Sequence, residues 1–189
     1  MNLYELLSKS AASFPGRLAL VQGQRTLDYG ELLGAVGATA MHLSDTGVAR
    51  GETVAIQMLN SIECVAAIFG AATLGASVLA LDPTLKADEV ETYCGRAGAR
   101  TLLHMQTDAA AKQPSVPRRR TMPPLEALLE RAQAVSASAE DTKPYGRARS
   151  AFLFLSSGTH WAPKDSVEKP RTSGGGPAGL PGRAAVFRE

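Results

Sequence analysis

The chain is 189 residues long, enough for one ordinary domain and little more. Hydrophobic residues make up 44% of it and mean hydropathy is near zero, which suits a globular core and excludes a membrane-dominated chain. A formal charge of +2 is too small to argue for nucleic acid. Much of the basic excess is gathered in Arg118-Arg119-Arg120 and the last stretch of chain, so those arginines are expected as solvated loop residues.

In chain order, Leu3 to Phe14 places Leu3, Leu6, Leu7 and Ala11 on one helical face, and Pro15-Gly16 stops that helix. Leu18–Val21 and Arg25–Leu27, joined by Gln22-Gly23-Gln24, predict a hairpin. Asp28 with Glu31 three residues on predicts a capping box for a helix to about Leu43. Gly47 and Gly51 bracket a turn before a buried strand at Thr53–Met58. Asn60 or Ser61 caps a helix from Ile62 to about Leu74, which Gly75 ends. Ser77–Leu81 is a second strand, Lys86–Arg96 a third helix of this stretch with Gly98 beyond it, and Thr101–Met105 a third strand. Strand, helix, strand, helix, strand at this spacing predicts an α/β fold, a partial parallel sheet built from βαβ units.

From Gln106 to Thr121 periodicity is lost and a loop is expected; Leu125–Ala134 restores a short helix. Ala151–Leu155 is an apolar β-run feeding Ser156-Ser157-Gly158-Thr159. Residues 165–189 are rich in Gly, Pro, Arg and Lys without either period, the composition of a disordered tail.

Cys64 and Cys94 lie in apolar helical contexts without metal-ligand spacing, so free thiols and a reducing cytoplasm are expected. The opening Met1-Asn2-Leu3-Tyr4-Glu5 has no leader pattern, and no apolar run suits a membrane span. His42, His104 and His160 form no ligand pattern.

The site-like feature is the strand running into Ser156-Ser157-Gly158-Thr159. Successive backbone N–H groups and hydroxyls after a strand can wrap an anion, and Lys164 can add a point charge. The Gly-Lys-Ser/Thr of a Walker loop is missing, and a common surface loop is the alternative.

The surroundings decide between them, because four segments occur in order. Leu27-Asp28-Tyr29-Gly30-Glu31-Leu32 resembles the Leu-Thr/Ser-Tyr-x-Glu-Leu motif of the adenylate-forming (AMP-binding) ligase family. Gly51-Glu52-Thr53-Val54-Ala55-Ile56 with Asn60-Ser61-Ile62-Glu63 is similar to its Gly-Asp-x-Val-Ala strand and Asn-Ser-x-Glu helix start. Leu74–Pro83 resembles its Gly-Ala-x-x-x-Pro-x-Asp/Asn-Pro segment, and Ser156-Ser157-Gly158-Thr159 the start of its phosphate loop, Ser-Gly-Thr-Thr-Gly-x-Pro-Lys. The resemblance covers residues 1–159 and implies ATP-dependent adenylation of a carboxylic acid, with magnesium, followed by transfer to the thiol of CoA or a carrier protein's pantetheine. It implies that Ser156, Ser157, Gly158, Thr159 and Lys164 hold the pyrophosphate end, and it carries no catalytic residue over to this chain. Asp28 and Asp82 read as a helix cap and a turn.

After Thr159 the pattern asks for Thr-Gly, and the sequence has His160-Trp161. Deleting the C that opens the His160 codon allows Thr-Thr-Gly-x-Pro-Lys to be read, so a one-base insertion is expected, with 160–189 translated out of frame and the ligase truncated and inactive. A divergent loop with a short natural tail is the alternative. So are half of a split ligase and a non-catalytic βαβ module that binds a nucleotide or a partner. A cut parallel sheet is also expected to self-associate non-specifically.

Overall fold

The computed structural model describes residues 3–105 and 112–138, together with the short strands at 152–153, 155–156 and 164–165. Helix α1 (Leu3–Ser13) buries Leu7 and Ala11, but Leu6, expected on the same helical face, is 42% exposed. The chain then turns into the antiparallel hairpin β1 (Leu18–Gln22) and β2 (Arg25–Asp28). Gln22 pairs with Arg25, so the turn is two residues, Gly23-Gln24, with Gly23 at φ 60°.

Asp28 caps α2 (Tyr29–Asp45) as its sequence predicts: the Glu31 N–H donates to Asp28 Oδ1 at 2.8 Å, and the Asp28 N–H donates to Glu31 Oε2 at 3.0 Å. Of the two cap candidates for α3 (Ile62–Thr73), Ser61 takes the role, its Oγ accepting from the Cys64 N–H. Helix α4 (Ala87–Ala97) ends on Gly98 at φ 65°, a left-handed conformation that a Cβ would strain.

β3 (Thr53–Gln57), β4 (Ser77–Leu81), β5 (Ala99–His104), β6 (Arg118–Thr121) and β7 (Phe152–Leu153) form one parallel sheet in the order β6-β5-β3-β4-β7. From β3 the chain steps to β4, then crosses back over β3 to β5. With right-handed crossovers this puts α3 and α4 on opposite faces. The side chains agree: Val54, Ile56, Val78 and Leu103 meet α2, α3 and α5 (Leu125–Ser138), whereas Ala55, Leu79, Leu81 and Leu102 meet Val90 and Cys94 of α4.

Strand β6 corrects the loop expected for Arg118–Arg120. These arginines are half-buried in a strand beside β5, because their guanidinium groups find acceptors there. Arg118 donates to the Gly47 carbonyl and the Glu52 carboxylate, and Arg119 to Gln113 Oε1. Helix α5 runs to Ser138, beyond the predicted Ala134. The apolar run expected as one strand divides: Phe152–Leu153 adds to the sheet beside β4, while β8 (Leu155–Ser156) pairs with β9 (Lys164–Asp165).

Candidate functional site

A parallel sheet offers its ligand crevice at the carboxyl ends of its strands, where successive crossovers diverge to opposite faces. Here that point lies between β3, which continues through α3 to β4, and β5, which continues the other way to β6. Ser156 follows the carboxyl end of β7, the neighbour of β4, by three residues in the chain.

Ser156 pairs with Lys164, and Leu155 with Asp165, across an antiparallel ladder. The backbone of Lys164 thus lies alongside that of Ser156. Of the predicted phosphate-holding residues, these two are brought together; Ser157, Gly158 and Thr159 lie outside the described residues. So do His160 and Trp161. The five-residue set offers hydroxyls, backbone N–H groups and an ammonium, a donor set that suits a polyphosphate. It contains no carboxylate to hold a divalent ion directly. Among the described residues, no three His, Cys, Asp or Glu side chains gather as a metal site.

A cleft of about 620 Å³ opens at the same end of the sheet, over β3 and β5 on the α4 face. Sequence reasoning did not find it, because its walls come from segments far apart in the chain. One wall is a polar network: Arg25 of β2 donates to Glu63 Oε1 at 2.6 Å and to Gln22 Oε1 at 2.7 Å, and the Ile62 N–H donates to the same Gln22 oxygen at 3.0 Å. Glu63 is only 3% exposed. Burial alone pushes its carboxyl up, but hydrogen bonds from Arg25, its own backbone N–H and Ser61, with the Arg25 charge, outweigh that and hold it below its ordinary value of 4.5. The motif Asn60-Ser61-Ile62-Glu63 thus caps a helix and fastens the hairpin to it.

The acid of the Asp82-Pro83 turn is structural. Asp82 accepts from the Thr84 hydroxyl and N–H, which lower its pKa, and closes the turn after β4. Cys64 and Cys94 are free thiols; burial raises both, Cys94 to about 11.

The profile of the AMP-binding enzyme family matches residues 7–165, nearly the whole described chain and past Lys164. The chain belongs to the AMP-binding enzyme family. It is 30% identical over 176 residues to 4-chlorobenzoate–CoA ligase of Arthrobacter sp., a match over 87% of this chain and 32% of that protein. It is 29% identical over 162 residues to syringomycin synthase SyrB1 of Pseudomonas syringae pv. syringae, over 86% of this chain and 25% of that one. Among solved structures, the N-terminal domain of FACL13 from Mycobacterium tuberculosis superposes with a TM-score of 0.68 at 25% identity, covering 86% of this chain and 43% of that chain. VinN superposes at 0.69 with 27% identity, covering 87% and 42%. The chain therefore spans about a third or less of these two relatives and under half of the two solved chains. No helix among the described residues is long and apolar enough to cross a membrane.

Proposed function

We propose that this chain supplies the sheet and phosphate-gripping loop of an ATP-dependent acid–thiol ligase, in which a carboxylate oxygen attacks the α-phosphorus of ATP, pyrophosphate leaves, and a thiol then displaces AMP from the acyl carbon. The supporting observation is the Ser156–Lys164 rung, which returns a lysine to the start of a serine-rich loop at the carboxyl end of a parallel sheet. In this reading Ser156, Ser157, Gly158 and Thr159 donate to the β- and γ-phosphates, and Lys164 neutralises charge on them. Magnesium, with its positive charge on the phosphates, arrives with ATP rather than on carboxylates of this segment. CoA and carrier pantetheine both suit the relatives found, one a CoA ligase and the other a synthase. The reduced thiols favour a cytoplasmic setting.

We assign residues 1–159 to the front of the adenylation domain and 160–189 to out-of-frame translation, within which Pro163-Lys164 still stands where the family loop has Pro-Lys. Trp161 puts an indole where the family loop has a glycine whose bare backbone approaches phosphate, so the 189-residue polypeptide by itself is expected to be inactive. Two measurements test these claims. Calorimetric titration with pyrophosphate should show binding that Lys164→Met weakens; equal affinity in the variant removes Lys164 from the site. ATP–pyrophosphate exchange with a panel of carboxylic acids should stay at background, and exchange above it overturns the assignment of inactivity. Sequencing the gene checks the frame: without an in-frame ligase continuation after removing one base, the insertion idea fails.

A further inference from the structure

We propose that the cleft over β3 and β5 is a second ligand site, for a small 2-hydroxy carboxylate with an apolar body, separate from the phosphate loop. Its floor is apolar, made by Leu85, Val90, Leu102 and Met58. At its end, β5 and β6 set an acceptor beside a donor. His104 is only 8% exposed, and its Nδ1 lies 2.6 Å from the Met105 carbonyl, which only accepts, so that nitrogen carries the proton. With the ring proton on Nδ1, Nε2 is the acceptor, with only a long 3.5 Å approach from Arg119 Nη2. Arg119 is the cation of this wall without a carboxylate partner among the described residues; its Nη2 donates to Gln113 Oε1 at 2.5 Å, and its buried Nε has no hydrogen-bond partner there. The other lining cations are committed, Arg25 to Glu63 and Lys112 to Asp88.

An acceptor next to a cationic donor selects a group that both gives and takes. A hydroxyl donating to His104 Nε2, with the adjacent carboxylate accepting from Arg119, satisfies both; a plain anion leaves Nε2 facing negative charge. The place of the site separates it from the reacting acid. Arg119 is on β6 and Ser156 follows β7, four strand spacings away in the sheet order, or about 19 Å. A carboxylate at Arg119 is therefore held from the opposite edge of the sheet to the strand that leads into Ser156.

The test is titration of the full 189-residue chain with mandelate and phenylacetate, which share a phenyl body and carboxylate but differ in the 2-hydroxyl. Calorimetry gives the affinities and ¹H–¹⁵N spectra give the place. Mandelate should bind about tenfold tighter, shifting Leu85, Leu102 and His104. His104→Leu should erase that preference while keeping phenylacetate binding, which also shows that the variant folds. Arg119→Met should weaken both acids, and Lys164→Met should change neither, so this site can stand or fall apart from the phosphate loop. Equal affinities in the wild type, a mandelate preference that survives His104→Leu, or shifts elsewhere would each overturn the assignment, as would no binding up to about 1 mM.

Discussion

Glu63 concentrates several consequences in one carboxylate. It is the nearly buried end of the pair that fastens the β1–β2 hairpin to the start of α3, whereas Arg25 is 39% exposed. Because its folded pKa lies below 4.5, the pair's contribution to stability is complete above about pH 4.5 and is lost as pH falls through the folded value. Glu63→Gln should therefore lower stability at pH 7 by about 1–3 kcal/mol and flatten the acid limb of the stability–pH curve. Urea unfolding of both proteins from pH 7 down to pH 3 measures this. An unchanged acid limb would show that Glu63 is not the group being protonated. Glu63 was quoted in a sequence motif, but its partner was not legible: Arg25 sits 38 residues away in a hairpin of ordinary composition.

Between elements, α2 and α3 pack closely enough that a single methyl group matters. A Cβ at Gly70 meets Thr39 Cβ and Cγ2 at 2.9 Å, and Thr39 is fully buried with its hydroxyl already donating to the Ala35 carbonyl at 2.8 Å. Gly70→Ala should raise helix propensity yet lower overall stability by about 1–3 kcal/mol, because α2 and α3 must move apart. Thr39→Ala in the same background should recover part of the loss; a neutral or stabilising Gly70→Ala would mean the helices separate freely. Most elements were readable beforehand, since capping boxes, glycine stops and apolar runs are local signals. Strand β6 was not. Three consecutive arginines carry the local signature of a solvated loop, and only the acceptors at Gly47, Glu52 and Gln113, brought from elsewhere in the chain, make a strand there favourable.

Across the whole molecule, among the described residues β7 pairs with only Val78 and Leu79 of the five residues of β4, and Leu18, Val21 and Leu59 are 57–71% exposed. Partly unpaired strand edge and exposed apolar side chains favour association. The apparent mass in light scattering should rise with protein concentration, and Val21→Lys should reduce that rise without loss of stability. A monomer of constant mass over the range would contradict it. The segments carrying the family resemblance were all in the sequence, as was the α/β class, because each depends on residues adjacent in the chain. The order β6-β5-β3-β4-β7, the return of Lys164 to Ser156 and the cleft that sets His104 beside Arg119 were decided only on folding. Parallel strands are joined by crossovers that place distant residues side by side, and no local pattern records which edge the next strand will take.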